Sequence, residues 1–293
     1  MSSDSSGETS SHEADSEAPA SFLDKVLHEV RETLITIAVF IPFWLVFSTF
    51  VYELRSIPSE SMVPALEVGD RVAVTKFAYG YNRNSIPFGI GHLFSKENPN
   101  KPDDGIWVRY PKRGDVVVFQ HPHADKVMIK RVIGLPGDKI QMVNGRLHIN
   151  GEEIAREEIG TVTYVQHGYG GVVTAIEYRE QLPGEDKPHI IHEFDDHRRL
   201  DRTPIFTVPP GHLFMMGDNR DNSEDSRACQ AYPGLVEIAG DAWGGCSPDS
   251  EMSIGYVPVD HLIGRAETVL FTLHRCKQEP GTECLKSHIW KPL

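Results

Sequence analysis

Three short segments of this 293-residue chain carry side chains that could act together. The first is Ile57-Pro58-Ser59-Glu60-Ser61-Met62-Val63-Pro64, with two hydroxyls behind a proline. The second is Lys126-Val127-Met128-Ile129-Lys130-Arg131-Val132-Ile133. Alternate side chains of a strand share a face, so Lys130 would stand between Met128 and Val132. A lysine pressed into apolar surroundings gives up its proton more readily. The third is the polar run Gly217-Asp218-Asn219-Arg220-Asp221-Asn222-Ser223-Glu224-Asp225-Ser226-Arg227. Each has a plain structural reading: a linker or helix cap, a surface lysine lying over apolar neighbours, a polar turn. Together they hold the parts of nucleophilic catalysis. A serine hydroxyl is a weak nucleophile and needs a base. No histidine lies in the three segments, so the base would be lysine. At an ordinary pKa near 10.4 only about one lysine in a thousand is neutral near pH 7.4. Burial can lower that pKa by roughly 3–5 units.

Other patterns do not hold together. His192-Glu193 and His197 place the histidines at i and i+5, whereas a helical zinc motif needs i and i+4. The acidic run Asp218–Asp225 lacks the glycine and the bidentate glutamate of a calcium loop. His121 and His123 flank Pro122 and read as solvated loop residues. None of Cys229, Cys246, Cys276 and Cys284 lies in a CxxC pair, so no zinc site is expected. There is no phosphate-binding or dinucleotide fingerprint, and neither metal nor cofactor is expected. The net charge of −13 argues against a nucleic-acid partner.

The elements that must position the three segments are mostly short strands bounded by turn residues. Arg71–Val74 follows Gly69-Asp70, Val116–Phe119 follows Gly114-Asp115, and Val127–Ile133 runs into Gly134-Leu135-Pro136-Gly137-Asp138. Ile140–Val143 ends in Asn144-Gly145 and Leu147–Ile149 in Asn150-Gly151, both hairpin signals. The pattern predicts a mainly β, antiparallel-sheet domain, with residues 144–206 as a smaller β excursion. Ahead of it, Thr33–Tyr52 is a run of twenty uncharged residues. As a helix it would be about 30 Å long, enough to cross a bilayer. The expected organisation is a disordered acidic tail at 1–20, an amphipathic juxtamembrane segment at 21–32, one transmembrane helix at 33–52, and a catalytic domain at 53–293. Phe22, Leu23, Val26, Leu27 and Val30 give the segment at 21–32 its apolar face. Phe88, Ile90, Phe94, Ile106 and Trp107 are candidates for a surface that dips into the bilayer.

The three segments resemble those of the type I signal peptidases, or leader peptidases, which pair serine with lysine. The resemblance runs through Pro58-Ser59-x-Ser61-Met62-x-Pro64, Gly69-Asp70, Lys76-Phe77-Ala78-Tyr79-Gly80 and Lys112–Phe119. It continues through Ile129–Asp138, the run at 217–227, and Leu262-Ile263-Gly264-Arg265-Ala266. It covers about residues 50–150 and 205–270. It implies Ser61 as nucleophile and Lys130 as base, with Ser223 orienting the lysine amine. It implies an oxyanion hole made by the Ser61 N–H and the Ser59 hydroxyl, braced by Asp225 and Arg227. Ile57, Pro58 and Ile129 would line pockets for small substrate residues. Ala65 stands where many members carry threonine, and the single expected span differs from members with two.

The implied activity is removal of signal peptides from secretory precursors, with membrane lipid as the other partner. The implied location is the bacterial inner membrane, single-pass, with the catalytic domain outside the cytoplasm. Ser61 lies nine residues after Tyr52, at most about 30 Å of extended chain. Lysine and arginine counts either side of the span are level, and the late cysteines favour an oxidising side for the domain. Two disulfides in three connectivities, or four thiols, are open to them. Cys276 and Cys284, with Pro280-Gly281 between them, are expected to pair, leaving Cys229 for Cys246. A soluble self-cleaving Ser/Lys repressor fits poorly, since no basic DNA-binding domain is present. A catalytically dead, membrane-tethered binding protein of the same fold is the alternative; retention of Ser61, Lys130 and Ser223 together argues against it.

Overall fold

The computed structural model describes residues 22–82, 108–167, 170–228, 254–273, 279–283 and 288–293, without the side chains at 24, 45 and 48–50. The acidic tail, the four cysteines and the five apolar residues from Phe88 to Trp107 lie outside the described residues. The chain divides into two compact units between Leu45 and Val46. Helix α1 (Phe22–Phe50) crosses that division. Its described side chains are exposed on every face, including Leu34, Val39, Phe40, Phe43 and Trp44. Thr33 and Thr36 return their hydroxyls to the carbonyls of Glu29 and Glu32, so neither leaves a bare donor. The end of the expected apolar segment is corrected. Tyr52 belongs to a strand, because Tyr52–Ser56 alternate in exposure and pair edge-on. Among the described residues, no helix is long and apolar enough to cross a membrane.

Antiparallel strands make up the second unit. β1 (Tyr52–Ser56), β2 (Asp70–Thr75), β3 (Val116–Gln120) and β4 (Val127–Gly134) belong to the main sheet. The chain then leaves it for β5 (Lys139–Val143), β6 (Arg146–Ile149), β7 (Glu152–Glu153), β8 (Arg156–Val165), β9 (Val172–Glu180), β10 (His189–Glu193) and β11 (Phe206–Thr207). It returns with β12 (His212–Met216), β13 (Val257–Pro258), β14 (Leu262–Thr272) and β15 (Ile289–Pro292). The main sheet runs β1-β2-β14-β3-β4-β12-β13, with β15 added to β14. The excursion folds as two smaller sheets, β11-β5-β6-β7 and β10-β9-β8. Asn144-Gly145 and Asn150-Gly151 each hold positive φ at both positions, the requirement of a tight hairpin turn with the strands' own twist.

Side-chain alternation lets β3 build two cores at once. Val116 and Val118 join Ile57, Met62, Leu66, Val72, Val74, Ile129 and Val269. Val117 and Phe119 join Tyr79, Val132, Leu213, Met215 and Leu262. A third cluster packs the excursion onto the ends of β4 and β12, through Ile133, Ile140, Met142, Leu147, Phe206, Phe214 and Met216. β4 is therefore covered on both faces from Ile129 to Gly134. A lysine in that stretch has nowhere to reach water.

Candidate active site

Ser61 lies in the turn between β1 and β2, and Lys130 lies on β4 opposite Val117. Ile57 anchors the turn by donating to Asp70 O at 3.0 Å and accepting from Gly69 N–H at 2.8 Å. Lys130 is 2% exposed. Its Nζ donates to Ser61 Oγ at 2.5 Å and to Ile129 O at 3.1 Å. Burial lowers the Lys130 pKa to about 8, against the upward pull of Asp225, Asp218 and Glu224 and with help from Arg227. At pH 7.4 about one molecule in five then carries a neutral amine, against roughly one in a thousand for a free lysine. Among the described residues Ser61 N–H makes no backbone–backbone hydrogen bond. Ser59 Oγ lies 3.5 Å from Ser61 Oγ.

The third segment leaves β12 and folds back upon it. Ser226 N–H donates to Met215 O at 3.0 Å, and Met215 N–H donates to Ser226 Oγ at 2.9 Å. Gly217 sits where this loop passes the nucleophile's turn. A Cβ there would lie 2.3 Å from Ser223 Oγ and 2.4 Å from Ser61 O, closer than real Cβ contacts allow. Gly217→Ala is expected to push Ser61 and Ser223 apart. It should lower kcat/KM by about 100-fold and cost about 1–3 kcal/mol of stability. Cleavage kinetics beside thermal unfolding would check it.

Charges around the lysine are paired. Arg227 grips Asp225 through Nε at 2.9 Å and Nη2 at 2.8 Å, and Gly217 N–H reaches Asp225 at 3.0 Å. Burial would raise the Asp225 pKa, but the Arg227 guanidinium, the Gly217 N–H and the Ser223 hydroxyl together hold the carboxyl below its usual range. Arg131 grips Asp218 with Nε at 2.8 Å and Nη2 at 2.6 Å, and Arg220 pairs with Glu180 on β9. All six side chains are buried. Bidentate arginine pairs of this kind give each buried carboxylate charge-assisted hydrogen bonds where water cannot.

Of the residues singled out from sequence, Ser61, Ser59 and Lys130 converge, and Asp225 and Arg227 lie behind them. Ser223 is buried against Gly217, but among the described residues no hydrogen bond joins it to Lys130. Ile57 and Ile129 are buried in one apolar cluster, while Pro58 is exposed. Asn219 and Arg220 stand in the third segment, but nothing in the sequence pointed to their partners, Tyr164 and Glu180. Asn219 N–H donates to Ser61 O at 3.1 Å, and its side chain reaches Tyr164 on β8. β10 supports the same loop, since His192 N–H donates to Asp218 O at 2.9 Å. Among the described residues, no three His, Cys, Asp or Glu converge as a metal would require.

A serine hydroxyl against a buried, easily neutralised lysine, beside a second hydroxyl, is the layout of a serine hydrolase with lysine in the place of histidine. The chain belongs to the signal peptidase family, peptidase S26, whose profile matches residues 30–271; this is a family of serine endopeptidases that remove signal peptides. A signal peptidase I of Pseudomonas aeruginosa is 41% identical over 227 residues, 77% of this chain and 66% of that protein. One from Rickettsia prowazekii is 32% identical over 235 residues, 78% of this chain and 75% of that one. This chain thus spans about two thirds of the Pseudomonas protein's length and three quarters of the Rickettsia protein's. A solved signal peptidase I from Enterococcus faecalis is 22% identical, covers 54% of this chain and 97% of its own, and superposes at a TM-score of only 0.28, too low to weigh.

Proposed function

We propose that this chain removes N-terminal signal peptides from secretory precursors, cutting after small residues, with Ser61 as nucleophile and Lys130 as general base. The observation that carries the reading is the 2.5 Å contact from Lys130 Nζ to Ser61 Oγ inside the protein. Neutral Lys130 takes the Ser61 proton as Oγ attacks the scissile carbonyl. Ser61 N–H and the Ser59 hydroxyl receive the negative charge on the carbonyl oxygen, each worth roughly 3–4 kcal/mol in the transition state. Lys130 then gives its proton to the departing amine, leaving the signal peptide esterified to Ser61. A water molecule, deprotonated by Lys130, hydrolyses that ester and restores the hydroxyl. Asp225 and Arg227 brace the lysine, and Ser223 would orient its amine. Ile57, Pro58 and Ile129 flank the dyad and would shape the substrate pockets.

The location follows from chain reach. Thr33–Phe50 is uncharged, and α1 exposes apolar side chains all round, as a helix does when its solvent is not water. In this reading the uncharged sequence segment 33–52 anchors the chain once in the bacterial inner membrane, and residues 53–293, with the excursion at 144–206, work on the extracytoplasmic side against lipid. The nine residues from Tyr52 to Ser61 keep the nucleophile close to the bilayer, where a precursor's cleavage site emerges. A catalytically dead binder would have no use for a lysine kept near neutrality. Detergent-solubilised protein should cleave a secretory precursor, and Ser61→Ala should not; equal cleavage by both would end the proposal. Precursors with Ala or Ser at the first and third positions before the cut should be cleaved at least about 100-fold faster than those with Leu or Phe. Equal rates for all four would remove the small-residue rule.

A further inference from the structure

Glu60 stands between Ser59 and Ser61 and is 7% exposed. A buried carboxylate there is chemically awkward, because it opposes negative charge forming on a substrate oxygen beside Ser61. Both its oxygens are nevertheless engaged, by donors far away in sequence. His167 N–H, in the turn after β8, donates to Oε1 at 2.7 Å. Asn222 Nδ2 donates to Oε2 at 3.2 Å. The Glu60 carbonyl takes Asn219 Nδ2 at 3.1 Å and Val63 N–H at 3.1 Å, and the next carbonyl, of Ser61, takes Asn219 N–H. Two adjacent residues are thus held by five hydrogen bonds, four of them from outside their own turn.

We propose that Glu60 is a positioning residue whose carboxylate latches the nucleophile's turn to the β8–β10 sheet and to the loop after β12. The latch fixes Ser61 Oγ against Lys130 and leaves the Ser61 N–H facing the substrate. The proposal rests on the reading of Ser61 as nucleophile. It also gives the excursion a part in catalysis: one of its turns supplies the donor to Oε1, and Tyr164 on β8 accepts from the Asn219 amide at 3.3 Å. Glutamine can keep the latch. Its oxygen accepts the His167 N–H, and the Asn222 amide can rotate to present its oxygen to the new NH2. Alanine cannot.

The test uses the full chain in detergent and a precursor peptide with alanine at the first and third positions before the cut. Glu60→Ala should lower kcat by about 10–100-fold, with KM within about twofold and the pH dependence unmoved. Glu60→Gln should recover to within about threefold of the parent. The proposal is overturned if Glu60→Ala keeps full kcat, or loses it only in proportion to unfolded protein. It is also overturned if Glu60→Gln is as slow as Glu60→Ala, or if the pH dependence shifts, because charge rather than position would then be at work. Ser61→Ala is measured alongside. If it still cleaves, the nucleophile assignment fails; if it is inactive while Glu60→Ala runs at full speed, only the latch fails.

Discussion

Lys130→Met is expected to abolish cleavage, by at least about 10³-fold, while making the protein harder to unfold. The activity falls because nothing else within reach of Ser61 can take its proton. The stability gain comes from the same burial that tunes the base. The Lys130 pKa lies at about 8 in the fold against 10.5 free. At about 1.4 kcal/mol per unit, holding the protonated amine inside costs on the order of 3 kcal/mol. Between pH 8 and 10.5 the unfolded chain binds the extra proton, so wild-type stability rises with pH across that window. The penalty is complete below pH 8 and gone above 10.5. Lys130→Met should therefore melt higher than wild type at pH 7, with the difference shrinking as the pH approaches 10.5. Lys130→Arg should be equally inactive but less stable, since a guanidinium stays charged throughout this range. Thermal unfolding at several pH values, beside cleavage assays, tests both halves. A Met variant less stable than wild type at pH 7 would mean the buried amine is not a burden.

Breaking the Asp225–Arg227 pair from either end should cost about 3–5 kcal/mol, because each change strands a buried charge. The two ends should move the acid limb of the rate profile in opposite directions. Asp225 is the strongest of the charges that favour protonated Lys130, whereas Arg227 disfavours it. Asp225→Asn should free the lysine of its proton at lower pH and shift the limb down. Arg227→Met should leave a bare carboxylate beside it and shift the limb up, so that activity at pH 7 falls further than the lost stability explains. Urea unfolding gives the stabilities, and profiles taken below the unfolding midpoint give the limbs. Shifts of the same sign, or stability changes under about 1 kcal/mol, would contradict the electrostatic role of the pair.

The strand that carries Lys130 and the hairpins after it were legible because their patterns have local causes. Asn144-Gly145 and Asn150-Gly151 mark hairpins since few other dipeptides accept positive φ twice. Val127–Ile133 shows its lysine out of place among apolar neighbours, which is the physical basis of a depressed pKa. What binds the segments to each other was not legible. Arg131 meets Asp218 across 87 residues, and His167 meets Glu60 across 107. No periodicity encodes such partners. β8 and β9 show no clean alternation, because polar and apolar residues are mixed along Arg156–Val165 and Val172–Glu180; the two strands pair with each other over most of their length. Tyr52 was read into the apolar span because hydropathy alone cannot tell a helix's end from an edge strand's start. β15 passed unnoticed, since Ile289–Pro292 is too short to show alternation and contains a proline that only an edge tolerates.

The pairing of Ser61 with a neutral Lys130 is tested most directly by the pH dependence of kcat/KM, for the full chain in detergent acting on one small-residue precursor peptide. The rate should climb about tenfold per pH unit through the acid range and level off above pH 8, where the buried amine loses its proton. A profile flat from pH 6 to 9, or a limb centred near the ordinary histidine value of about 6.5, would mean that some group other than Lys130 takes the serine's proton.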